Sequence, residues 1–403
     1  MTAKDPRRQL LLELLRAALA AVDGRACTRE ALRARLPEMA LDRTRYHVAA
    51  LGKAAAAMAL GAGDALGSRL ERTLILTKDG HLDAGAAALP GAEIHESGHP
   101  VPDARSLAAG ERLIDFIERL PAGVRPIFLV SGGASSLVEA LIPEADLETL
   151  QSLNRAGLAS GASITALNAE RRRISRIKGG KLSPRLAGRG AIALFISDVP
   201  EDDPAVIGSG VLGPPPRGSD DVERAVIASI DDALRAARAR ASGLKASIAA
   251  RRFAQDAERL AVRFAHELHL GREPLKLWGG ESVVRLPPHP GRGGRNQHLA
   301  LAAARLIAGH DELLLLAAGT DGTDGATDSA GALVDGETCA RIALAGLDVD
   351  SCLRRADSGT ALAAAGDLID TGPTGTNVGD LVIGLRLSQQ DARGWLSAAR
   401  TAH

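Results

Sequence analysis

Two periodicities alternate along the chain. Short, almost unbroken apolar runs are separated by longer stretches in which apolar residues recur every three or four positions, the spacing of one helix face. Tyr46 to Leu51, Thr73 to Thr77, Glu93 to Glu96, Pro126 to Val130 and Ala191 to Ile196 read as strands. Residues 7–22 and 28–36, Ala54 to Leu66, Asp103 to Leu120 and Asp146 to Ser160 read as helices, with Asp103 as a cap. Strand and helix in alternation predict an α/β chain with a largely parallel sheet covered on both faces. Gly208 to Asp220, rich in Gly and Pro, ends regular structure. Residues 221–240 read as a charged helix and 245–268 are mixed. Beyond them Leu275–Trp278, Ser282–Leu286, Leu313–Ala317 and Leu381–Leu387 read as strands, and Gln297–Ala308, Glu337–Ala345 and Gln389–Ala399 as helices. The domain boundary is placed between about 240 and 272, giving domains 1–245 and 272–400.

The apolar runs end in glycine and charge. Leu51-Gly52-Lys53, Ser131-Gly132-Gly133-Ala134-Ser135 and Ile196-Ser197-Asp198-Val199 each close a strand, and Arg176-Ile177-Lys178-Gly179-Gly180-Lys181 lies between the last two. Gly291 to Gln297, Gly319 to Gly325 and Thr371 to Asn377 follow in the second half. Glycine lets a backbone approach a bulky ligand, and strand ends are where open α/β sheets bind ligands. Lysine, arginine and free backbone N–H groups attract phosphate, while aspartates hold magnesium. Together these point to an enzyme that moves a phosphoryl group.

Each cluster also has a purely structural reading. Lys53 opens a helix, where it can reach a phosphate or simply face water; the spacing is not that of a Walker A loop. The Ser131 loop is either an anion cradle or a tight strand-to-helix turn. Asn168 to Arg189 is the most basic segment, and Gly179-Gly180 between Lys178 and Lys181 suits close approach to an anion. Asp198 is a candidate magnesium ligand. Asp321, Asp324 and Asp328 either bind a hard cation or hydroxyl or brace glycine-rich turns. Gly208 to Gly213 matches G-x-G-x-x-G, but Pro214-Pro215-Pro216 stands where a helix must begin, so it is rejected as a dinucleotide fingerprint.

Composition narrows the partners. Formal net charge is +0 and aromatics are 2%, which leaves neither a global field nor a stacking surface for nucleic acid. The cores must then be Leu, Val, Ile and Ala. No apolar stretch is long enough to span a membrane, and Glu13 and Arg16 break up the N-terminal Leu10-Leu11-Leu12 run. Cys27, Cys339 and Cys352 fit neither a zinc ribbon nor a disulfide framework and read as reduced thiols of a cytoplasmic protein.

In chain order these clusters resemble the glycerate 2-kinase family, the two-domain type with a C-terminal MOFRL domain. The resembling pieces are Leu51 to Ala55, Gly98-His99-Pro100-Val101-Pro102-Asp103, Ser131 to Ser135, Asn168 with Arg171, and Ser175 to Leu182. They continue with Ile196 to Val199, Asp202 to Pro204, Gly279 to Glu281, Gly293 to Gln297, Gly319 to Gly322 with Thr327-Asp328, and Thr371 to Asn377. The resemblance implies a Rossmann-like parallel-sheet first domain, a smaller mixed α/β second domain and an active site in the cleft between them. It implies ATP-dependent, Mg2+-assisted phosphorylation of D-glycerate at its 2-hydroxyl, giving 2-phosphoglycerate and ADP. A hydroxypyruvate reductase using NADH or NADPH is the rival, since some family members carry that label.

The same resemblance implies the site residues. Lys53 and Arg295 face the transferring phosphoryl group. Asp198 holds magnesium, with Asp324 as a further ligand and Asp321 as either a second metal contact or the base. ATP and glycerate are bound by Gly52, Ser131, Gly132, Gly133, Ala134, Ser135, Asn168, Arg171, Lys178, Gly179, Gly180, Lys181, Glu281, Asn296, Thr376 and Asn377, the division between the two ligands being left open. Three positions depart from the family: Ser209-Gly210-Val211-Leu212 replaces Ser-Gly-Pro-Thr, His298 replaces an acid, and Ala356 stands where Asn is common. Oligomeric state is left open.

Overall fold

The computed structural model describes residues 5–39, 44–160, 164–218 and 220–401, with side chains for all of these except 36–39, 154–160, 164–168 and 399–401. Helices α1 (Pro6–Ala21) and α2 (Gly24–Met39) precede β1 (Arg45–Leu51), α3 (Ala55–Leu66), β2 (Leu70–Lys78), β3 (Ala92–Ser97), α4 (Ala104–Glu118) and β4 (Val124–Val130). A single turn, α5 (Ala134–Leu137), leads to α6 (Leu147–Ser160), α7 (Ile164–Ile174), β5 (Ile192–Ile196) and β6 (Glu223–Ala228). These six strands form one sheet in the order β3-β2-β1-β4-β5-β6, every pair parallel. That is the doubly wound Rossmann order expected of the first domain. β4 and β5 are buried along their length, apart from Arg125. Pro126 has no N–H to give a central strand, but it sits where β4 is paired with β1 and not yet with β5, whose pairing starts at Ile127.

The charged helix expected over 221–240 is two elements. Glu223–Ala228 is the edge strand β6, and only Ile230–Arg240 is helical, as α8. An edge strand tolerates charged, half-exposed residues, so Glu223 and Arg224 give no apolar run to read.

The second sheet is mixed. After α8 come β7 (Ala246–Ile248), α9 (Ala257–Leu270), β8 (Leu275–Gly280), α10 (Arg295–Leu306), β9 (Leu313–Gly319) and β10 (Gly331–Asp335). Then follow α11 (Thr338–Leu344), α12 (Val349–Arg354), α13 (Ser358–Ala365), β11 (Leu368–Ile369), β12 (Asp380–Arg386) and α14 (Gln389–Thr401). The strand order is β11-β10-β9-β12-β8-β7, antiparallel except for β7 on β8. Ser282 to Leu286 is not the expected strand; among the described residues a lone bridge between Asp256 and Val283 is its only pairing. Among the described residues no helix is long and apolar enough to cross a membrane.

The chain forms two compact units, and neither is one stretch of sequence. The first holds Val22–Ser229 together with Gly375–Val378; the second holds Met1–Ala21, Ile230–Thr374 and Gly379–His403. Within the second unit α1 packs on α8, where Arg240 pairs with Glu13 at 2.7 Å. The expected ranges 1–245 and 272–400 follow the order of the chain; the compact units do not.

Candidate active site

In a doubly wound sheet, ligands bind beyond the carboxyl ends of the strands where the strand order reverses. In the first unit that point lies between β1 and β4. Leu51 is paired with Val130, so the loops after the two strands start level. The hydroxyl of Ser131 stitches them, donating to Leu51 O at 3.2 Å and accepting the Ala54 N–H at 3.0 Å. Lys53 N–H donates to Gly132 O at 3.0 Å. Ser131 is fully buried, so its hydroxyl shapes the loop.

Gly132 and Gly133 then turn the chain. A Cβ on Gly132 would collide with the Asp198 carboxylate and the Asn377 amide. Gly133 is left-handed at φ +86°, and a Cβ there would stand 3.0 Å from Lys53 Cγ and 3.5 Å from His99 Cδ2. Among the described residues, no acceptor takes the N–H of Gly132 or of Gly133. Two unspent donors beside a lysine are the kind of group an anion site is built from. Asn377 Nδ2 donates to Asp198 Oδ2 at 3.4 Å, so Asp198, at the end of β5, and the Thr376-Asn377 pair meet at this loop. Gly52, Lys53, Ser131 to Ser135, Asp198, Thr376 and Asn377 are thus gathered within one unit, although Thr376 and Asn377 fall in the expected range of the second domain.

The basic segment is placed differently. Lys178 is fully buried; its ammonium pairs with Glu139 and donates to Ser135 O at 2.6 Å. Burial pushes the Lys178 pKa down, against the pull of Glu139. Lys181 donates to Arg172 O and Ser175 O at 2.6 and 2.5 Å. Gly179 N–H and Gly180 N–H are given to Ser209 O and Gly210 O at 3.0 and 2.7 Å. A Cβ on Gly180 would collide with Pro214 O. The paired glycines therefore admit another stretch of backbone, and the lysines fasten protein carbonyls, in place of the anion contact expected of all four. Their effect on the site is indirect: Ser135 Oγ meets Ser209 Oγ at 2.8 Å, so the segment ties the loops after β4 and β5 together. Arg171 is held beside this pair, its pKa lowered by burial with the Glu139 charge opposing. Asn168 lies outside the described side chains. Glu139 was not foreseen; a lone acid inside Leu137-Val138-Glu139-Ala140-Leu141 was the available signal.

The second unit carries its own cluster at one sheet edge. β12 runs antiparallel to both neighbours, and its first residue, Asp380, is paired with Gly280 and with Gly319. That register brings Asp380 level with Glu281 beyond β8 and with Thr320-Asp321 beyond β9. Arg295, first residue of α10, donates to Glu281 Oε1 at 2.6 Å and lies 3.5 Å from Asp380 Oδ1. These carboxylates raise the Arg295 pKa against the lowering effect of burial, which is the larger single influence on the guanidinium. Asn296 Nδ2 donates to Asp380 Oδ1 at 3.0 Å. Asp321 Oδ1 and Asn296 Nδ2 lie 3.4 and 3.6 Å from where a Cβ of Gly319 would stand.

Asp324 does something else. Its oxygens accept Asn296 N–H at 3.1 Å and Gln297 N–H at 2.7 Å, capping α10 from across the unit. Burial lifts its pKa to about 7, the two N–H bonds opposing. This is a capping role in place of the metal-binding one expected. Among the described residues, no group of three His, Cys, Asp or Glu side chains forms a metal cage. Asp380 was missed by sequence reading because it stands one residue before the apolar run Leu381 to Leu387.

Comparison with known proteins shows the family. A family model described as a domain of unknown function (DUF4147) matches residues 10–239, and the MOFRL family model matches residues 275–380. The chain is 35% identical to a D-glycerate 2-kinase of Thermotoga maritima, over 94% of this chain and 99% of the relative. A crystal structure of glycerate kinase from Thermotoga maritima superposes with a TM-score of 0.80 at 33% identity, covering 94% of this chain and 99% of that one. A relative from Agrobacterium vitis, 34% identical over 93% of this chain and 93% of its own length, carries the provisional name hydroxypyruvate reductase.

Proposed function

Because the chain belongs to the glycerate 2-kinase family, we propose that it transfers the γ-phosphoryl group of ATP to the 2-hydroxyl of D-glycerate, giving 2-phosphoglycerate. Phosphoryl transfer asks a protein mainly for positioning and charge neutralisation. The support that carries most weight is the meeting of Lys53, the unspent N–H groups of Gly132 and Gly133, and Asp198 at the strand-order reversal.

Each unit has its own part. In the first, Lys53 and the two N–H groups take anionic oxygens. Asp198, beside the Asn377 amide, fits Mg2+, which usually takes one or two carboxylates and completes its shell with phosphate oxygens and water. When bound, the ion neutralises phosphate charge. In the second, Arg295 supplies a further positive charge for the transferring group, held by Glu281 and Asp380. Asp321 is the proposed acceptor of the hydroxyl proton.

A second reading, reduction of hydroxypyruvate by NADH or NADPH, draws on the strand order, which also suits dinucleotides. Against it, the turn after β1 reads Leu51-Gly52-Lys53-Ala54-Ala55-Ala56, without the glycine fingerprint. Incubating the protein with D-glycerate, ATP and Mg2+ and detecting product through enolase, with and without phosphoglycerate mutase, decides. Signal without mutase is the expected result; signal only with mutase makes it a 3-kinase, and NADH consumption on hydroxypyruvate with no kinase signal makes it a reductase. Lys53→Ala should lower turnover on the order of a hundredfold, the scale of one lost transition-state donor. Near-normal turnover in a folded variant removes Lys53 from the chemistry.

A further inference from the structure

The segment Gly98 to Asp103, following β3, has no role in the phosphoryl transfer described so far, yet it reaches the same loop. Its His99 ring and the Lys53 side chain flank one point, the place where a Cβ on Gly133 would stand. Lys53 Cε is 3.3 Å from that point and His99 Cδ2 is 3.5 Å from it. Any side chain at 133 would fill the gap; glycine keeps it open.

The backbone on either side of that ring is tied down. Asp103 caps α4, accepting Arg105 N–H at 2.9 Å and Ser106 N–H at 3.1 Å, while Ser106 Oγ accepts Asp103 N–H at 3.2 Å. The same carboxylate accepts Gly98 N–H at 3.3 Å, one residue before the histidine. Arg105 grips Asp79 with two bonds, at 2.6 and 2.8 Å. His99 itself is only partly buried.

The two loop glycines face different neighbours. Gly132 abuts Asp198 and Asn377; Gly133 abuts Lys53 and His99. A bare carboxylate is repelled beside Asp198, where the nucleotide phosphates would be accompanied by the Mg2+ that Asp198 is proposed to hold; beside an imidazole N–H and a nearby ammonium it is attracted. We infer that His99 is a substrate-binding residue whose imidazole, with the Gly133 N–H, takes the carboxylate of D-glycerate, leaving the Lys53 ammonium beside it for the transferring phosphoryl group. The phosphates of the nucleotide are left to the Gly132 side. The inference rests on the kinase reading and divides between the two ligands what the sequence left undivided.

The test compares wild type with His99→Ala and His99→Gln. Losing one hydrogen bond to a charged group should raise the KM for D-glycerate about 10- to 100-fold. The KM for ATP and the melting temperature should stay put, and His99→Gln should recover part of the loss. In wild type, the His99 ring signals in NMR, identified by their loss in His99→Ala, should move on adding D-glycerate without nucleotide. A raised KM for ATP alone assigns His99 to phosphate and overturns the inference. Unchanged constants, or ring signals indifferent to D-glycerate in a protein that phosphorylates it, overturn it too. A wild-type protein that neither binds nor phosphorylates D-glycerate refutes the kinase reading itself, which is a different failure.

Discussion

Replacing Lys178 by methionine separates two roles for a residue that its sequence context marks as a phosphate ligand. Lys178 and Glu139 are both fully buried and paired, and Lys178 also holds Ser135 O at 2.6 Å. Lys178→Met keeps most of the volume and removes the charge. Glu139 would retain Ser175 Oγ at 2.6 Å and Ala140 N–H at 3.0 Å but lose its directly bonded counter-charge, with only the nearby Arg171 left to oppose it. Breaking a buried pair from one side costs about 3–5 kcal/mol. For a unit of this size that lowers the unfolding midpoint by roughly 6–20 °C. Lys178→Met with Glu139→Leu removes both charges, and most of the loss should return, because an apolar pair of similar volume is often as stable as the ion pair. Thermal denaturation of wild type, both single variants and the double variant closes the cycle. Kinase assays below the lowest midpoint show whether the loop carrying Ser135 has shifted. A Lys178→Met protein with an unchanged midpoint and a raised KM for ATP would refute the structural role and return the ammonium to the nucleotide.

Two further outcomes are expected. Ala356 is left-handed at φ +50°, a conformation that asparagine and glycine adopt more readily, so Ala356→Asn should raise stability by up to about 1 kcal/mol; a lower melting temperature for both Ala356→Asn and Ala356→Gly would contradict this. Burial raises the pKa of Asp324 to about 7, so between the ordinary aspartate value and 7 the folded chain keeps a proton that the unfolded chain has released. Stability from this group is therefore full at low pH and falls as pH rises through that window, and Asp324→Asn should flatten the slope in urea denaturation measured from pH 4 to 7. An identical slope would mean that Asp324 does not titrate there.

The central strands were legible because burial on both faces writes itself as unbroken apolar sequence, and β1, β4 and β5 each end at the predicted loop. β6 was not, because an edge strand carrying Glu223 and Arg224 looks like the first turns of the helix behind it. The site divides along a similar line. Lys53, Gly132, Gly133 and Asp198 sit at strand ends, and the sheet's own topology assembles them. The chemistry of Lys178 and Lys181 is decided by partners far along the chain, Glu139 and the carbonyls of Ser135, Arg172 and Ser175, which a local cluster of positive charge does not reveal. Asp324 misled for the same reason: two backbone N–H groups on α10, not its neighbouring aspartates, claim its oxygens.

Four residues from near the end of the sequence, Gly375 to Val378, are part of the first unit, where Gly24 N–H donates to Gly375 O at 3.2 Å and Asn377 reaches Asp198. The second unit in turn needs α1 from the start. Chains are made from the N-terminus and usually fold domain by domain as they emerge. Here the ribosome must reach Val378 before the first unit owns all its parts, and β12 and α14 before the second does. The nascent sheet must wait with an open seam beside Asp198, and α1 must wait for the helix and strands it covers. Chaperone dependence during synthesis, and failure of separately expressed halves to regain activity on mixing, would be the biological cost of this interleaving.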